Sequence, residues 1–487
     1  MNPKLLYING EWTEAIGGRC RDVIDPATGD AIASVAQGSA ADAQQAISAA
    51  RQAFDHGPWA ALSNSERAAY LRSLISALRN HADETAKIEA LNTGKTITEG
   101  QSDVGDAIAA FDYFARLIRT DSGVLNDAAP NVISMTLREP VGVCGLITPW
   151  NYPILQAAWK LGPALAAGNT VVIKPASLTP LSTHRLAELI HACGFPKSVF
   201  NLVTGGAEVG EALASSTSVD LISLTGSNAA GASVMKAATS NFKRISLELG
   251  GKNPNIVFAD ANLEATVDQA LNAAFFNAGQ MYSAGSRLLL ERPIYDVFVE
   301  ALSARIRAIR LGHGSSERTQ MGPVISAQQR DRVLALVEGA VEEGARLLCG
   351  GKSPGGAPFN KGFWIEPTLL VDVHASMRIV REEIFGPVIT VECFDGEDEA
   401  VALANDTEFG LASALWTQDF AKANRVLRRL RAATVWVNDF NVTLPHVPWG
   451  GYKASGIGRE LARAGLDEYT ELKHAYVNVE PKAIGWF

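Results

Sequence analysis

The chain has few cysteines, and none stands in a pattern that binds metal or builds a disulfide framework. The five are odd in number and far apart in 487 residues: Cys20, Cys144, Cys193, Cys349 and Cys393. No CxxC pair and no zinc-type spacing of cysteine and histidine is present. We therefore expect no disulfide framework and no metal site, with the thiols buried as small apolar groups.

Long apolar runs are also missing. No stretch reaches the ~18 consecutive apolar residues that a helix needs to span a bilayer. The opening residues MNPKLLYINGEW lack the uninterrupted apolar segment of a signal peptide. We expect no membrane span and a cytoplasmic protein.

Positive charge is neither abundant nor clustered. The chain has 43 Lys and Arg against 52 Asp and Glu, a formal net charge of -9, without a long basic run. Surfaces that bind nucleic acid or anionic membranes normally carry such a run. The composition, 47% hydrophobic and 20% charged, is that of a globular protein with two or three domains. We therefore expect a small-molecule partner, with no nucleic acid and no membrane.

Helical and strand patterns alternate along most of the sequence, which predicts an α/β fold. Ser63 and Glu66 form a capping-box pattern that begins a helix. The predicted buried stripe of that helix is Leu71, Leu74, Ile75 and Leu78. The runs 170–173 and 221–224 are rich in β-branched and aliphatic residues, which is typical of strands covered on both faces.

Two kinds of segment predict close contacts. The glycine pairs Gly250-Gly251 and Gly450-Gly451 indicate hinges or a close approach of two backbone segments. Residues 121–137 and 476–479 alternate weakly and could form an edge sheet. An exposed edge needs covering, and a second subunit would cover it.

The most informative stretch is Phe275–Arg287, FFNAGQMYSAGSR, in which Tyr282 follows Glu248 of the ELGGK motif by thirty-four positions. Further motifs occur in order at Thr148–Pro153, Val172–Ser177, Leu224–Ser227 and Arg381–Pro387. Together these segments resemble the aldehyde dehydrogenase superfamily, and most closely its betaine aldehyde dehydrogenase branch. The resemblance extends from Tyr7 to the end of the chain.

This resemblance implies an α/β fold with a Rossmann-variant cofactor domain, an α/β catalytic domain and a small oligomerisation sheet. Residues 1–120 and 139–249 would form the NAD(P)-binding domain and residues 250–447 the catalytic domain. Segments 121–138 and 470–487 would form the oligomerisation sheet of a homodimer or homotetramer. No GxGxxG fingerprint follows the first strands, so that motif alone would not indicate a Rossmann fold.

The resemblance further implies NAD or NADP as cofactor. The matching cofactor positions are Trp150, Lys174, Ser177, Gly205, Gly226, Ser227, Leu249, Glu383 and Phe385. A Gly-Ser turn before a helix can offer amides and a hydroxyl to a pyrophosphate, although taken alone it is most often only a turn.

Ser177 bears on the choice of cofactor. Relatives that prefer NAD usually carry a glutamate at this place, three positions after the strand lysine, Lys174. Without that carboxylate, the 2'-phosphate of NADP meets no repulsion. We therefore expect NADP to be tolerated and NAD to bind as well.

In the family, a cysteine thiolate attacks the aldehyde, an asparagine amide stabilises the oxyanion and a glutamate activates water. Asn151 and Glu248 match the last two roles. Tyr282 stands where the cysteine is expected. The unperturbed pKa of a phenol is ~10 against ~8.5 for a thiol, and its ring is larger, so loss of the covalent step is the direct expectation.

Four explanations of Tyr282 stay open. The substitution could be a deliberate change to a working enzyme, or a natural loss that leaves a binding protein. It could also mark non-covalent chemistry with the phenol as acid or base, or a rare nucleophilic tyrosine.

Three aromatic residues match substrate positions of the same branch: Tyr152, Trp159 and Trp449. Ring faces attract a quaternary ammonium group at about 0.5–2 kcal/mol per contact. As a plain helical pair, Tyr152 and Trp159 would instead be core aromatics. Asp103 and Asp106 would add negative potential at the entrance or simply lie on a solvated helix face.

The leading functional hypothesis is NAD(P)-dependent oxidation of betaine aldehyde, or of a similar amino or ammonium aldehyde, to its acid. The alternatives are a lyase, hydratase or isomerase in which Tyr282 and Glu248 transfer protons, and a non-catalytic ligand- or cofactor-binding protein.

Overall fold

The computed structural model describes residues 3–487 and has the predicted α/β architecture, with three main sheets. The strands are β1 Leu6–Ile8, β2 Glu11–Thr13, β3 Cys20–Ile24, β4 Ala31–Ala36, β5 Val124–Asn126, β6 Val132–Pro140, β7 Val143–Ile147, β8 Thr170–Lys174, β9 Phe200–Leu202, β10 Leu221–Thr225, β11 Arg244–Glu248, β12 Pro254–Val257, β13 Arg287–Glu291, β14 Arg346–Cys349, β15 Thr368–Val371, β16 Val388–Phe394, β17 Phe409–Gly410, β18 Ala412–Trp416, β19 Thr434–Val437, β20 Tyr452–Lys453, β21 Gly456–Ile457 and β22 Thr470–Asn478. The α-helices are α1 Ala40–His56, α2 Asn64–Asn80, α3 Ala82–Thr93, α4 Ile97–Thr120, α5 Pro153–Ala167, α6 Leu181–Ala192, α7 Ala207–Ser215, α8 Asn228–Ala238, α9 Leu263–Phe275, α10 Tyr295–Arg307, α11 Ala327–Glu342, α12 Arg378–Arg381, α13 Gly396–Asn405, α14 Phe420–Leu427 and α15 Ala462–Glu468.

The first sheet has eight strands in the order β2-β1-β9-β8-β7-β10-β11-β21. Its centre is parallel, and β8 and β10 are buried along their whole length, as their apolar runs predict. In register, Ile147 pairs with Lys174, and Thr225 pairs with Glu248. The strand ends that carry Lys174, Thr225 and Glu248 therefore lie at one edge, where open α/β sheets bind ligands.

The second sheet has seven strands in the order β14-β15-β16-β13-β12-β18-β19, all parallel except β14. Tyr282 lies in the connection between α9 and β13. Asn253 anchors that connection, since its Nδ2 donates to the carbonyl oxygens of Tyr282, at 2.8 Å, and Ala284, at 3.0 Å.

The third sheet, β22-β6-β5, is antiparallel and joins the segments 124–140 and 470–478. The weakly alternating segments thus do pair with each other. β22 pairs with β6 from Thr470 opposite Pro140 to Asn478 opposite Val132. Large apolar side chains of this sheet are exposed to solvent: Leu125 is 74% and Leu472 is 62% exposed.

The predicted start of α2 is confirmed. The backbone N–H of Ser63 donates to Glu66 Oε2 at 2.8 Å, and the Ser63 hydroxyl accepts from the Glu66 amide at 3.3 Å. The whole predicted stripe is buried: Leu71, Leu74, Ile75 and Leu78. In the described part of the chain, no helix is both long and apolar enough to cross a membrane.

Both glycine pairs mark close backbone approaches. A Cβ atom at Gly251 would lie 2.1 Å from the carbonyl oxygen of Tyr282, and one at Gly451 would lie 2.4 Å from the carbonyl of Ser455. Only glycine leaves room at these contacts. Gly251 therefore lets the ELGGK segment pass directly beneath the Tyr282 connection.

Candidate active site

A cavity of about 520 Å³ opens at the carboxyl edge of the first sheet. Predicted residues that line it are Trp150, Asn151, Lys174, Ser177, Gly226, Ser227, Glu248, Leu249, Tyr282, Glu383 and Phe385. Gly205 does not line it, but its carbonyl oxygen accepts a hydrogen bond from Ser177 Oγ at 2.7 Å. The structure thus gathers segments from both large sheets around one space.

One end of the cavity carries donors suited to a phosphate. Ser227 caps α8, and its hydroxyl accepts from the Ala230 amide at 3.3 Å, so first-turn amides face the turn. Lys174 lies on the same wall, and burial lowers its pKa to about 8. The carboxylate of Glu208 opposes that shift, while the positive charge of Arg21 adds to it.

The cavity also contains a half-buried carboxylate and two aromatic rings. Burial raises the pKa of Glu383 to about 7, although the amide of Gly251 donates to its Oε1 at 3.0 Å. The rings of Phe385 and Trp150 meet edge to face, with centroids 5.0 Å apart. Phe385 has φ 57°, an unfavourable value for a phenylalanine. A residue keeps such a conformation only where the surrounding contacts hold it there.

Sequence reasoning missed the residues that hold the segment 383–385 in place. Arg332 donates to the carbonyl oxygens of Glu383, at 2.7 Å, and Ile384, at 2.8 Å. Gln329 donates to the carbonyl oxygen of Phe385 at 2.8 Å. Both lie on α11, about fifty positions before their partners, and no local motif connects the two segments.

Asn151 is buried with a fixed amide. Its Nδ2 donates to the carbonyl oxygen of Gln280 at 2.8 Å, and its Oδ1 has no partner among residues 3–487. An amide nitrogen carries two hydrogens, so one N–H is left for an oxygen atom in the cavity. The side chain therefore suits the predicted oxyanion role.

Glu248 is only 1% exposed, and neither of its carboxylate oxygens has a partner within the described chain. Burial raises its pKa well above the ordinary value, and the negative charge of Glu460 raises it further, whereas Lys160 opposes the shift. Glu248 therefore keeps its proton to a higher pH than an exposed glutamate would, as suits a carboxyl group that takes and gives protons.

Tyr282 is 8% exposed, and its hydroxyl accepts a hydrogen bond from Gln156 Nε2 at 2.9 Å. Burial raises the pKa of the phenol well above 10, and the carboxylates of Glu248 and Glu460 add to the shift. The phenolate is therefore scarce at neutral pH, which makes Tyr282 a poor substitute for a thiolate nucleophile.

A second cavity of about 350 Å³ lies on the other side of Tyr282 and contains the three predicted aromatic residues, Tyr152, Trp159 and Trp449. The Trp449 ring is edge-on to both Trp159 and Tyr282, each with centroids 6.0 Å apart. The indole N–H of Trp449 makes no well-aligned hydrogen bond with residues 3–487, although it lies close enough to the Tyr282 hydroxyl to lower the pKa of that phenol slightly.

Two details of the aromatic prediction are wrong. Tyr152 is not within a helix but is the N-cap of α5, with φ −134° and ψ 61°. Asp103 is buried and ion-paired with Lys95, so its charge is compensated. Lys95 Nζ also lies 4.4 Å from the centroid of the Tyr152 ring. Of the two aspartates, Asp106 alone is left exposed at the second cavity.

The two cavities meet at one side chain, because Tyr282 lines both. The larger cavity contains phosphate donors and a half-buried carboxylate, and the smaller cavity contains several aromatic rings. This α/β scaffold therefore has two adjoining cavities, one lined by donors that suit a dinucleotide and one that suits a second small molecule.

Comparison with known proteins identifies the family. The profile of the Aldehyde dehydrogenase family matches residues 12–475. The betaine aldehyde dehydrogenase of Bacillus subtilis is 51% identical over 484 residues, 99% of both chains. The chloroplastic betaine aldehyde dehydrogenase of Beta vulgaris is 40% identical over 492 residues, 99% of this chain and 98% of the relative.

Solved structures agree. The crystal structure of the betaine aldehyde dehydrogenase of Staphylococcus aureus in complex with NAD+ superposes with a TM-score of 0.98 at 46% identity. The match covers 99% of this chain and 97% of that chain. The chain belongs to the aldehyde dehydrogenase family, as the motifs around Tyr282 predict.

Proposed function

We propose that this protein binds NAD+ or NADP+ together with an aldehyde that carries a quaternary ammonium group, in a dehydrogenase active site whose thiol position is occupied by Tyr282. The observation that carries the proposal is the position of Tyr282 between the two cavities. The relatives from Bacillus subtilis and Beta vulgaris are betaine aldehyde dehydrogenases, which supports the same substrate class.

The donors in the larger cavity fit a nicotinamide dinucleotide. The α8 amides and Ser227 would bind the pyrophosphate, Lys174 would bind a ribose, and Glu383 would bind the other ribose beside Phe385. When bound, the cofactor supplies the hydride acceptor. The chain's own part is to orient the aldehyde oxygen through Asn151 and to move protons through Glu248.

Binding tests this proposal directly, whatever the turnover of the Tyr282 form. Isothermal titration calorimetry should give saturable binding of NAD+ and of tetramethylammonium, each to one site per chain. Absence of both would refute the proposal. Binding of both without any chemistry on an aldehyde would instead support a non-catalytic binding protein.

For the cofactor preference, Ser177→Glu should weaken NADP+ binding by about tenfold or more relative to NAD+. The new carboxylate would lie on the wall that carries Lys174 and would repel a 2'-phosphate. Calorimetric Kd values for both cofactors, with Ser177→Gln as the uncharged control, check this. An equal change with glutamine would show that size, and not charge, sets the preference.

For the ammonium subsite, Trp449→Ala should weaken binding of a trimethylammonium ligand by about 2- to 30-fold, the range for one cation–π contact. Choline and its neutral tert-butyl analogue, 3,3-dimethylbutanol, form a matched pair of ligands that differ in charge. The variant should lose most of the preference for the cation. If it binds both ligands as the parent does, Trp449 is not part of the subsite.

We also propose the domain division 1–120 with 139–249, 250–447, and 121–138 with 470–487. The separate eight-, seven- and three-stranded sheets support it. The apolar side chains exposed on the three-stranded sheet support its burial in a homodimer or homotetramer.

Sedimentation equilibrium should give a mass two or four times 51.8 kDa. Leu472→Glu should shift the protein toward smaller species, and Val341→Glu, on the exposed face of α11, should not.

A further inference from the structure

The hydrogen bonds of the Tyr282 hydroxyl are directional. Thr225 Oγ1 donates to Gln156 Oε1 at 3.0 Å, so the amide nitrogen of Gln156 faces Tyr282 and donates to its oxygen at 2.9 Å. The phenol is therefore an acceptor in this contact. No atom of residues 3–487 accepts its own proton, so the O–H is available to a ligand.

A second donor serves the same space. Asn151 lines the larger cavity with Tyr282 and keeps one N–H free after its bond to the carbonyl of Gln280. Asn151 and Tyr282 therefore both offer a donor to a carbonyl oxygen that enters this cavity. The part of the cavity lined by Asn151, Tyr282 and Glu248 thus offers two neutral donors and an acid. None of these three side chains is a ready nucleophile toward carbon.

We infer that Tyr282 makes this site a carbonyl reductase, in which an ammonium-bearing aldehyde is reduced to the primary alcohol and the Tyr282 hydroxyl protonates the carbonyl oxygen. The inference rests on the proposed function, because it needs the same cofactor cavity and the same aldehyde subsite. The reductant is a reduced nicotinamide dinucleotide, NADH or NADPH.

The atoms and electrons balance. The carbonyl carbon gains a C–H bond by accepting hydride from NAD(P)H, which is oxidised to NAD(P)+. The C=O π bond breaks, and its electron pair forms the new O–H bond with the Tyr282 proton. The phenolate regains a proton from Glu248, and Glu248 regains one from solvent. The sum is aldehyde, NAD(P)H and H+ giving alcohol and NAD(P)+.

The electrostatics favour this direction over oxidation of the alcohol. Alcohol oxidation needs the phenolate as base, and burial together with Glu248 raises the pKa of Tyr282 well above 10. Aldehyde reduction needs the protonated phenol, which is the form present at neutral pH. Burial likewise raises the pKa of Glu248, which favours its protonated form.

The activity test follows NADH and NADPH consumption with betaine aldehyde and identifies the trimethylammonio alcohol by NMR. The parent protein should form the alcohol in a 1:1 ratio to cofactor oxidised. Tyr282→Phe keeps the ring and removes the proton, so it should lose roughly 10²-fold or more of the rate, as for loss of a general acid. A Tyr282→Phe rate equal to that of the parent would overturn the role of Tyr282.

A binding test needs no cofactor. The amide of glycine betaine has the ammonium group and a carbonyl oxygen but accepts no hydride, and tetramethylammonium lacks the carbonyl. Tyr282→Phe should weaken binding of the amide by about fivefold or more, the effect of losing one hydrogen bond. It should leave the affinity for tetramethylammonium unchanged. An equal affinity of both proteins for the amide would contradict the proposed hydrogen bond.

The outcomes separate the two proposals. If the parent binds neither NAD(P)+ nor tetramethylammonium, the proposed function fails. If it binds both but forms no alcohol from betaine aldehyde and NAD(P)H, the reductase inference alone is overturned.

Discussion

Replacing Tyr282 with cysteine is expected to raise the rate of aldehyde oxidation by roughly 10³-fold or more, as is typical when one member of a cooperative catalytic set is restored. Asn151 and Glu248 already lie in the same cavity as Tyr282, and that cavity carries donors for a dinucleotide. The phenol is protonated and bulky, whereas a thiolate can form the covalent intermediate on which the other residues act. The measurement is cofactor reduction with betaine aldehyde.

Tyr282→Ala separates the nucleophile from the space that the ring occupies. It opens the same volume without a thiol and should oxidise the aldehyde no faster than the parent. If alanine matches cysteine, the gain comes from room for the substrate and not from covalent chemistry. Fast oxidation by the parent itself would contradict the prediction in a different way, since it would require a non-covalent route.

In the Tyr282→Cys variant, the oxidation rate should rise with pH. Glu248 must lose its proton to activate water, and burial with the charge of Glu460 raises its pKa. The base form is therefore scarce at low pH and increases as pH rises through that raised pKa. Glu248→Gln should remove the alkaline rise. A flat pH profile in the cysteine variant would show that Glu248 is not the base.

The sequence predicts the fold well where local pattern and family motifs agree. The capping box at Ser63, the two-face-buried strands and the ELGGK segment all occupy the predicted places. It fails at Tyr152, because the helical pairing with Trp159 does not reveal that the helix begins one residue after Tyr152. It also fails at Asp103, whose partner Lys95 lies in the loop between α3 and α4.

The residues that orient the site were beyond sequence reasoning for a physical reason. Gln156 reaches Tyr282 across 126 positions, and Lys160 reaches Glu460 across 300. Neither pair has a periodicity or a turn that connects it. Such contacts depend on tertiary packing, in this case on the burial of α5 on all sides, which encloses Gln156 and Lys160 along with its hydrophobic side chains.

The second large effect is expected at that buried ion pair. Lys160 is fully buried and bonds Glu460, while its Nζ also donates to Ser223 Oγ at 3.0 Å. Lys160→Met should lower the free energy of unfolding by about 3–5 kcal/mol, because it leaves the charge of Glu460 buried without its partner. Urea unfolding at matched protein concentration, with the oligomeric state verified, gives the difference.

The double variant Lys160→Met with Glu460→Leu supplies the control. It removes both charges and fills similar volume, so it should recover much of the stability lost in Lys160→Met. Additive losses would mean that the pair does not interact and that each side chain matters only for packing.

In the Tyr282→Cys background, Lys160→Met should also move the pH profile to higher pH. It removes the positive charge that opposes the raised pKa of Glu248.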